Sequence, residues 1–137
     1  MSISLHEAIT QRLATDTGLT LGTDLFWGHI PPEEADLAVA ILERVPMPRD
    51  GYNNNFRKHR FQVFGRGPSF KTGKDRTALV NDALIAKTFR GIQLTDWYLY
   101  FAVGEEVMHL GKDERDRFEF TANATATARV GAPYGAT

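Results

Sequence analysis

The chain has 137 residues, 42% hydrophobic and 24% charged, enough for one ordinary globular domain to bury a core without covalent staples. It has no cysteine, which excludes disulfides, thiolate metal sites and cysteine nucleophiles together and suits a reducing compartment. The net charge of −1 hides an uneven distribution: residues 1–50 hold three Arg against eight acids, residues 51–91 nine Lys or Arg against two, and residues 92–137 four against seven. These thirds either present complementary patches to copies of the chain or to a partner, or average out over solvated faces.

The first residues, MSISLHEAIT, carry no basic n-region and no apolar run, so no signal peptide is expected. No apolar stretch reaches the ~18 residues of a membrane span. A soluble product of a cytoplasm, without a membrane partner, is the expectation.

In chain order, Ser4-Leu5-His6-Glu7 has the form of a capping box. The spacing of Leu5, Ala8, Ile9 and Leu13 predicts a helix that stops at Gly18. A short strand follows through Leu25, Phe26 and Trp27, ended by Pro31-Pro32 and a polar turn of Glu33, Glu34 and Asp36. LAVAILERV, residues 37–45, is apolar on both faces at its start and predicts a central strand. Residues 46–55 are rich in Pro, Gly and Asn and predict an exposed loop. A strand over 57–66 comes next, broken by Gly67-Pro68. A helix is predicted from about Lys74 to Phe89, with either Leu79, Ala83 and Ala86 or Val80, Leu84 and Lys87 as its buried stripe. LTDWYLYFAV, residues 94–103, predicts an aromatic strand, with Trp97, Leu99, Phe101 and Val103 on one face. After a charged turn, Gly111 to Arg117, the stretch RFEFTANATATARV alternates strictly, with Phe118, Phe120 and the alanines on one face. At roughly 3.3 Å per residue that strand could run ~45 Å, about twice the usual length.

The expected fold is therefore α+β, a mostly antiparallel sheet of four to five strands with two helices on one face. Residues 1–130 form a single domain in this reading and 131–137 a flexible tail. The expected core is Leu25, Phe26, Val39, Ile41, Phe61, Val63, Leu84, Leu99, Phe101, Phe118 and Phe120.

Signatures of chemistry fail on their own requirements. GRGPSFKTGKD, residues 65–75, resembles a phosphate loop superficially, but Pro68 stands where the first Gly is required and Asp75 where the magnesium-binding hydroxyl is required. His6, His29, His59 and His109 show no helical ligand spacing. Asp113, Glu114 and Asp116 do not follow an EF-hand order, and Lys112, Arg115 and Arg117 neutralise them. No serine has a nucleophile-elbow context. Neither an enzyme, a cofactor nor a metal site is expected. The basic segment 57–76, with Arg57, Lys58, Arg60, Arg66, Lys71, Lys74 and Arg76 beside Phe56, Phe61 and Phe64, is the best case for nucleic-acid contact. Alternation splits those cations between two faces and the chain is not basic overall, which favours a protein-facing rim of charge.

The ordered landmarks resemble the tail terminator proteins, also called tail completion or minor capsid proteins, of long-tailed bacteriophages. The likeness rests on Leu21-Gly22-Thr23-Asp24-Leu25-Phe26 with Ile30-Pro31, and on Gly111, Asp113, Glu114, Arg117, Phe120, Thr121 and Asn123, within about residues 3–130. Asp24 replaces the family's usual Asn. The resemblance implies a structural virion protein, put together in the host bacterial cytoplasm. It would form a ring, expected to be a hexamer, at the head-proximal end of the tail tube. There it would stop tube polymerisation and offer the head-joining surface. Its implied partners are itself, the tail tube protein, a head completion or connector protein, and DNA passing through the lumen. Loops 46–56 and 104–116 would meet tube or head. Subunit or partner contacts are expected at Arg57, Lys58, Arg60, Arg66, Lys112, Asp113, Glu114, Arg115, Thr125, Thr127 and Arg129, with one end of the long strand bracing a neighbouring subunit. The alternative is a neck or head-closure protein, or a small nucleic-acid-binding module using 57–76.

Overall fold

A computed structural model describes residues 4–28, 30, 36–44, 56–86 and 89–131, except for the side chains of Phe56 and Arg57. The loop expected at 46–55, the Pro31-Pro32 stop, His29 and the terminal 132–137 lie outside the described residues.

Helix α1 spans Leu5–Thr17. The Ser4 side chain accepts from the Glu7 N–H at 3.3 Å, and Gly18, in the left-handed region at φ 77°, closes the last turn onto the Ala14 carbonyl. Helix α2 spans Phe70–Ile85, starting four residues earlier than the sequence predicts because Ser69 caps it by accepting from the Thr72 N–H at 3.2 Å. Of the two stripes open to α2, the buried one contains Val80 and Leu84, joined by Gly73, Thr77 and Asn81.

Both helices cover one face of a seven-stranded sheet made of β1 (Leu25–Trp27), β2 (Ala38–Glu43), β3 (Phe56–Gly67), β4 (Ile92–Leu94), β5 (Trp97–Gly104), β6 (Met108–Lys112) and β7 (Phe118–Val130). The sheet is mixed and larger than expected. β1 runs parallel to β2, and all other pairings are antiparallel. The order is β1-β2-β3-β7-β5-β4, with β6 also on β7. A turn at Thr95-Asp96 splits the aromatic strand read over 94–103 between the end of β4 and β5, and β6 forms within 104–116, which sequence pattern reads as a loop. Short, exposed strands leave little periodicity to detect.

The length of β7 is accounted for within one subunit. Along one edge it pairs with twelve residues of β3, from Phe56 opposite Arg129 to Gly67 opposite Phe118. Along the other edge β5 takes Ala124 to Val130 and β6 takes Phe118 to Thr121, end to end as one interrupted strand. The whole strand is thus the spine of a single subunit's sheet.

Small residues let the helices approach that spine. Ala122, Ala124, Ala126 and Ala128 lie under the helices beside the larger buried Phe61, Val63, Leu84 and Leu99. Gly67 and Gly73 bring the end of β3 against α2, where an added Cβ on Gly67 would sit 2.5 Å from the Gly73 Cα. Leu25, Val39, Ile41 and Phe120 are also fully buried, while Phe26 belongs to a smaller cluster with Ile30, Ala38 and Ala40.

Two expected core residues need correction. A bulge at Tyr100 shifts the β5 register, so that Leu99 faces Ala128 but Phe101 faces Thr127. Phe101 consequently points away from the helices and is 42% exposed. Phe118, at the first position of β7, is half-buried beside Phe70 and His109 rather than enclosed.

Candidate assembly surfaces

The face of the sheet away from the helices follows from register. On β3 the positions alternating with Phe61 and Val63 are Lys58, Arg60, Gln62, Phe64 and Arg66, and on β7 they are Glu119, Thr121, Asn123, Thr125, Thr127 and Arg129. Hydrogen bonds tie this face together: Gln62 Nε2 donates to Thr121 Oγ1 at 2.6 Å, and Arg44 Nη1 to Asn123 Oδ1 at 2.6 Å. Arg44, Lys58, Arg60, Arg66 and Arg129 thus share a face on which Glu119 is the acid between the two central strands. Lys58 and Arg60 are exposed, Thr125 and Arg129 are half-buried, and Thr127 is buried between its cross-strand neighbours Lys58 and Phe101. Thr127 is therefore enclosed by its own subunit rather than presented to another. Arg57 falls opposite Ala128, out of register with this face.

At one end of the sheet a second group forms around the β6–β7 turn. Asp113 accepts from the backbone N–H groups of Arg115 and Arg117 at 2.9 Å each and from Arg117 Nε at 2.8 Å. Burial alone pushes the Asp113 carboxyl up, but the Arg117 and Arg115 hydrogen bonds and the Arg117 charge together hold it below its ordinary value. Arg117, 5% exposed, reaches Asp36 at 3.6 Å and so joins this turn to the approach of β2. Burial first, and then the Arg117 charge, lower Arg66, while burial and the nearby Asp113 raise Glu119. The resemblance makes Asp113 an expected contact residue, and within the subunit its carboxylate serves its own turn. Lys112 pairs with Asp116 at 3.3 Å and lies over the Phe118 ring, and Glu114 and Arg115 are exposed at the tip.

The sheet ends in two unlike apolar edges. Beside β1, Leu21 and Trp27 are exposed. On the far side of β7, Phe101, Val103, Met108 and Leu110 are exposed along β5 and β6, whose outer edge beyond β4 has no strand partner among the described residues. The exposure of Phe101 and Val103 escapes sequence pattern because the bulge at Tyr100 reverses the alternation of β5, and that of Met108 and Leu110 because 104–116 reads as a loop.

Little here suggests chemistry. His6 lies against Trp27 and Phe61, His59 against Phe61 and Trp97, and His109 against Phe70, Phe118 and Phe120, each in its own aromatic surroundings. Among the described residues no group of three His, Cys, Asp or Glu could hold a metal ion. None of the described helices is long and apolar enough to cross a membrane.

One covered face, an open face that is basic along β3 and apolar toward the β5–β6 edge, and a second apolar edge at β1 define a subunit equipped for association. The chain matches the family of bacteriophage tail terminator proteins over residues 12–130, and it belongs to that family. It is accordingly a structural protein of a phage-type virion. A solved chain from the virion of a native gene transfer agent (GTA) particle is similar in fold, with a TM-score of 0.66 at 20% identity over 92% of this chain and 95% of that one. No curated protein matches the chain.

Proposed function

We propose that copies of this chain close into a ring, of about six subunits, on the head-proximal end of the tail tube. There the ring stops tube polymerisation and offers the surface to which the head, through its completion or connector protein, is joined. The observation that carries this reading is the pair of unlike exposed edges at opposite ends of one sheet. A closed ring is a heterologous assembly, in which each subunit presents two different complementary patches. Leu21 and Trp27 supply one, and Phe101, Val103, Met108 and Leu110 supply the other. Family membership supports the place in the virion, with assembly in the host cytoplasm.

The experiment is removal of the gene from the producing phage, with electron microscopy of the particles. The reading expects tubes of uncontrolled length that fail to join heads, rescued by the intact gene. Tails of normal length joined to heads would overturn it.

A second reading is favoured by the shared face of Arg44, Lys58, Arg60, Arg66 and Arg129: a head-closure or nucleic-acid-binding role in which this face meets duplex DNA. Phosphate contacts release counterions, so such binding weakens steeply with salt. Salt-dependent duplex affinity of the isolated protein, lost in Lys58→Gln/Arg60→Gln, supports it, and no affinity at low salt excludes it. Within the ring reading, the β3 side of this face, with Lys58 and Arg60, would line the lumen through which DNA passes, while Phe101, Val103 and Met108 on its β5–β6 side meet the neighbouring subunit.

A further inference from the structure

The two ends of the sheet differ in their main chain as well as in their side chains. β1 bonds to β2 through alternate residues: the Asp24 carbonyl accepts from the Val39 N–H at 3.0 Å, and the Gly28 N–H donates to the Ile41 carbonyl at 3.1 Å. By the same alternation Leu25 and Trp27 turn their peptide groups to the outer edge. At Leu25 that edge is closed. Its carbonyl accepts from the Gly22 N–H at 2.8 Å and its N–H donates to the Thr20 carbonyl at 3.3 Å, within a parallel bridge between Leu21 and Leu25. Gly22, at φ 86°, lets the chain double back for this. Asp24 fixes the turn at two points. Its Oδ1 accepts from the Thr20 N–H at 2.6 Å, and its Oδ2 lies 3.5 Å from Arg76 Nη1 on α2.

The opposite end has no such cover among the described residues. β4 pairs with β5 only from Trp97 to Leu99, and no strand lies outside β6. β6 is short and bulged between His109 and Gly111, which blunts an edge, yet its exposed Met108 and Leu110 are apolar. A sheet open at both ends can add to copies of itself by main-chain pairing. Such a contact is heterologous, and where its geometry does not close it grows filaments. Closing one end is enough to prevent this.

We propose that the turn from Thr20 to Leu25 is a built-in guard: it withholds the β1 main chain from the open β6 edge of a second copy, so that free subunits do not join sheet to sheet. Contacts made at this end are thereby restricted to side chains, with Leu21 on the guard itself and Trp27 beside it. The guard acts on the free protein, so its test does not depend on the ring.

The experiment compares the wild type with Asp24→Ala, which removes both ties of the turn, by hydrogen exchange, light scattering over a concentration series and electron microscopy. The Leu25 amide should be protected in the wild type and exchange roughly tenfold faster or more in Asp24→Ala. The mass of Asp24→Ala should then climb with concentration into filaments, whereas the wild type forms none. Adding Met108→Lys/Leu110→Lys, at two exposed positions of β6, should restore the wild-type behaviour, because edge lysines oppose strand addition. Arg76→Gln, which leaves the bond between Thr20 and Asp24, should show the same changes to a smaller degree. Faster exchange at Leu25 without growth would overturn the guard. Growth that the two lysines do not suppress would overturn the β6 edge as what is kept out, and would mark general unfolding instead. Unchanged exchange at Leu25 would overturn Asp24 as the residue that holds the turn. Failure of the ring reading is separate, since it shows in the particle and leaves these outcomes untouched.

Discussion

The two faces of β7 differ in what they ask of a side chain. Toward the helices stand Phe120, Ala122, Ala124, Ala126 and Ala128, all buried, whose sizes set how closely α1 and α2 can approach. Toward the other side stand Glu119, Thr121, Asn123, Thr125, Thr127 and Arg129, flanked across β3 by Lys58, Arg60 and Arg66. The covered face is constrained by volume, so substitutions there are paid in stability. The open face is constrained by charge and hydrogen bonding, so its exposed positions are free to vary with the partner. The comparison teaches that the fold and the assembly chemistry of this subunit occupy alternate positions of the same strand.

The largest effect that tests this division is on the covered face. Phe61→Ala, which empties a fully buried ring from beneath the helices, should cost about 3–5 kcal/mol in denaturant unfolding. A loss below about 1 kcal/mol would mean that the covered face is loosely packed. Next comes the turn that joins the two faces. Asp113→Asn removes the carboxylate shared by Arg115 and Arg117 and should cost roughly 2–3 kcal/mol at neutral pH.

The pH dependence of that turn has a defined sign. A carboxyl whose pKa in the folded state is depressed contributes stability that is complete above its unfolded value and is lost as pH falls through the folded one. For Asp113 the loss should therefore begin near its ordinary 3.8 and continue below it, and Asp113→Asn should flatten this part of the stability–pH curve. Glu119, raised by burial and by Asp113, has the opposite sign: its protonation, starting above 4.5, relieves the fold before Asp113 protonates. A wild-type curve matching that of Asp113→Asn over the acid limb would contradict this assignment.

A smaller effect, opposite to the usual trend, is expected at Gly73. In an exposed helix Gly→Ala stabilises by up to ~1 kcal/mol. Here the new Cβ would lie 2.7 Å from the Phe120 ring and 3.1 Å from the Gly67 nitrogen, so Gly73→Ala should destabilise by about 1–3 kcal/mol. The smallest change in stability belongs to the open face. Arg60→Gln should shift unfolding by no more than ~0.5 kcal/mol, leaving any loss in assembly or DNA contact as its effect. A large loss of stability there would break the comparison.

How much of this division is legible in the sequence depends on uninterrupted period. The capping box at Ser4 and Glu7 marks α1, and the alternation from Phe118 to Val130 marks β7 and its two faces, because each pattern runs without a break. At Tyr100 a single extra residue turns Phe101 and Val103 to the opposite face, and no local residue type announces it. The parallel pairing of β1 and β2 depends on a contact across the chain that neither short strand encodes alone. The 111–117 turn is legible as a charged motif, but the motif does not distinguish a contact surface from an internal brace. Asp113 proves to serve the turn, while Glu114 and Arg115 remain exposed.

The central claim is that subunits join edge to edge into a closed ring at the end of the tail tube. Cryo-electron microscopy of the intact particle at the junction of head and tail tests it most directly. The account predicts one closed ring of about six copies at the head-proximal end of the tube, with Leu21 and Trp27 of each copy against Phe101, Val103, Met108 and Leu110 of the next. Copies found elsewhere in the particle, or a ring whose apolar edges face solvent, would contradict it.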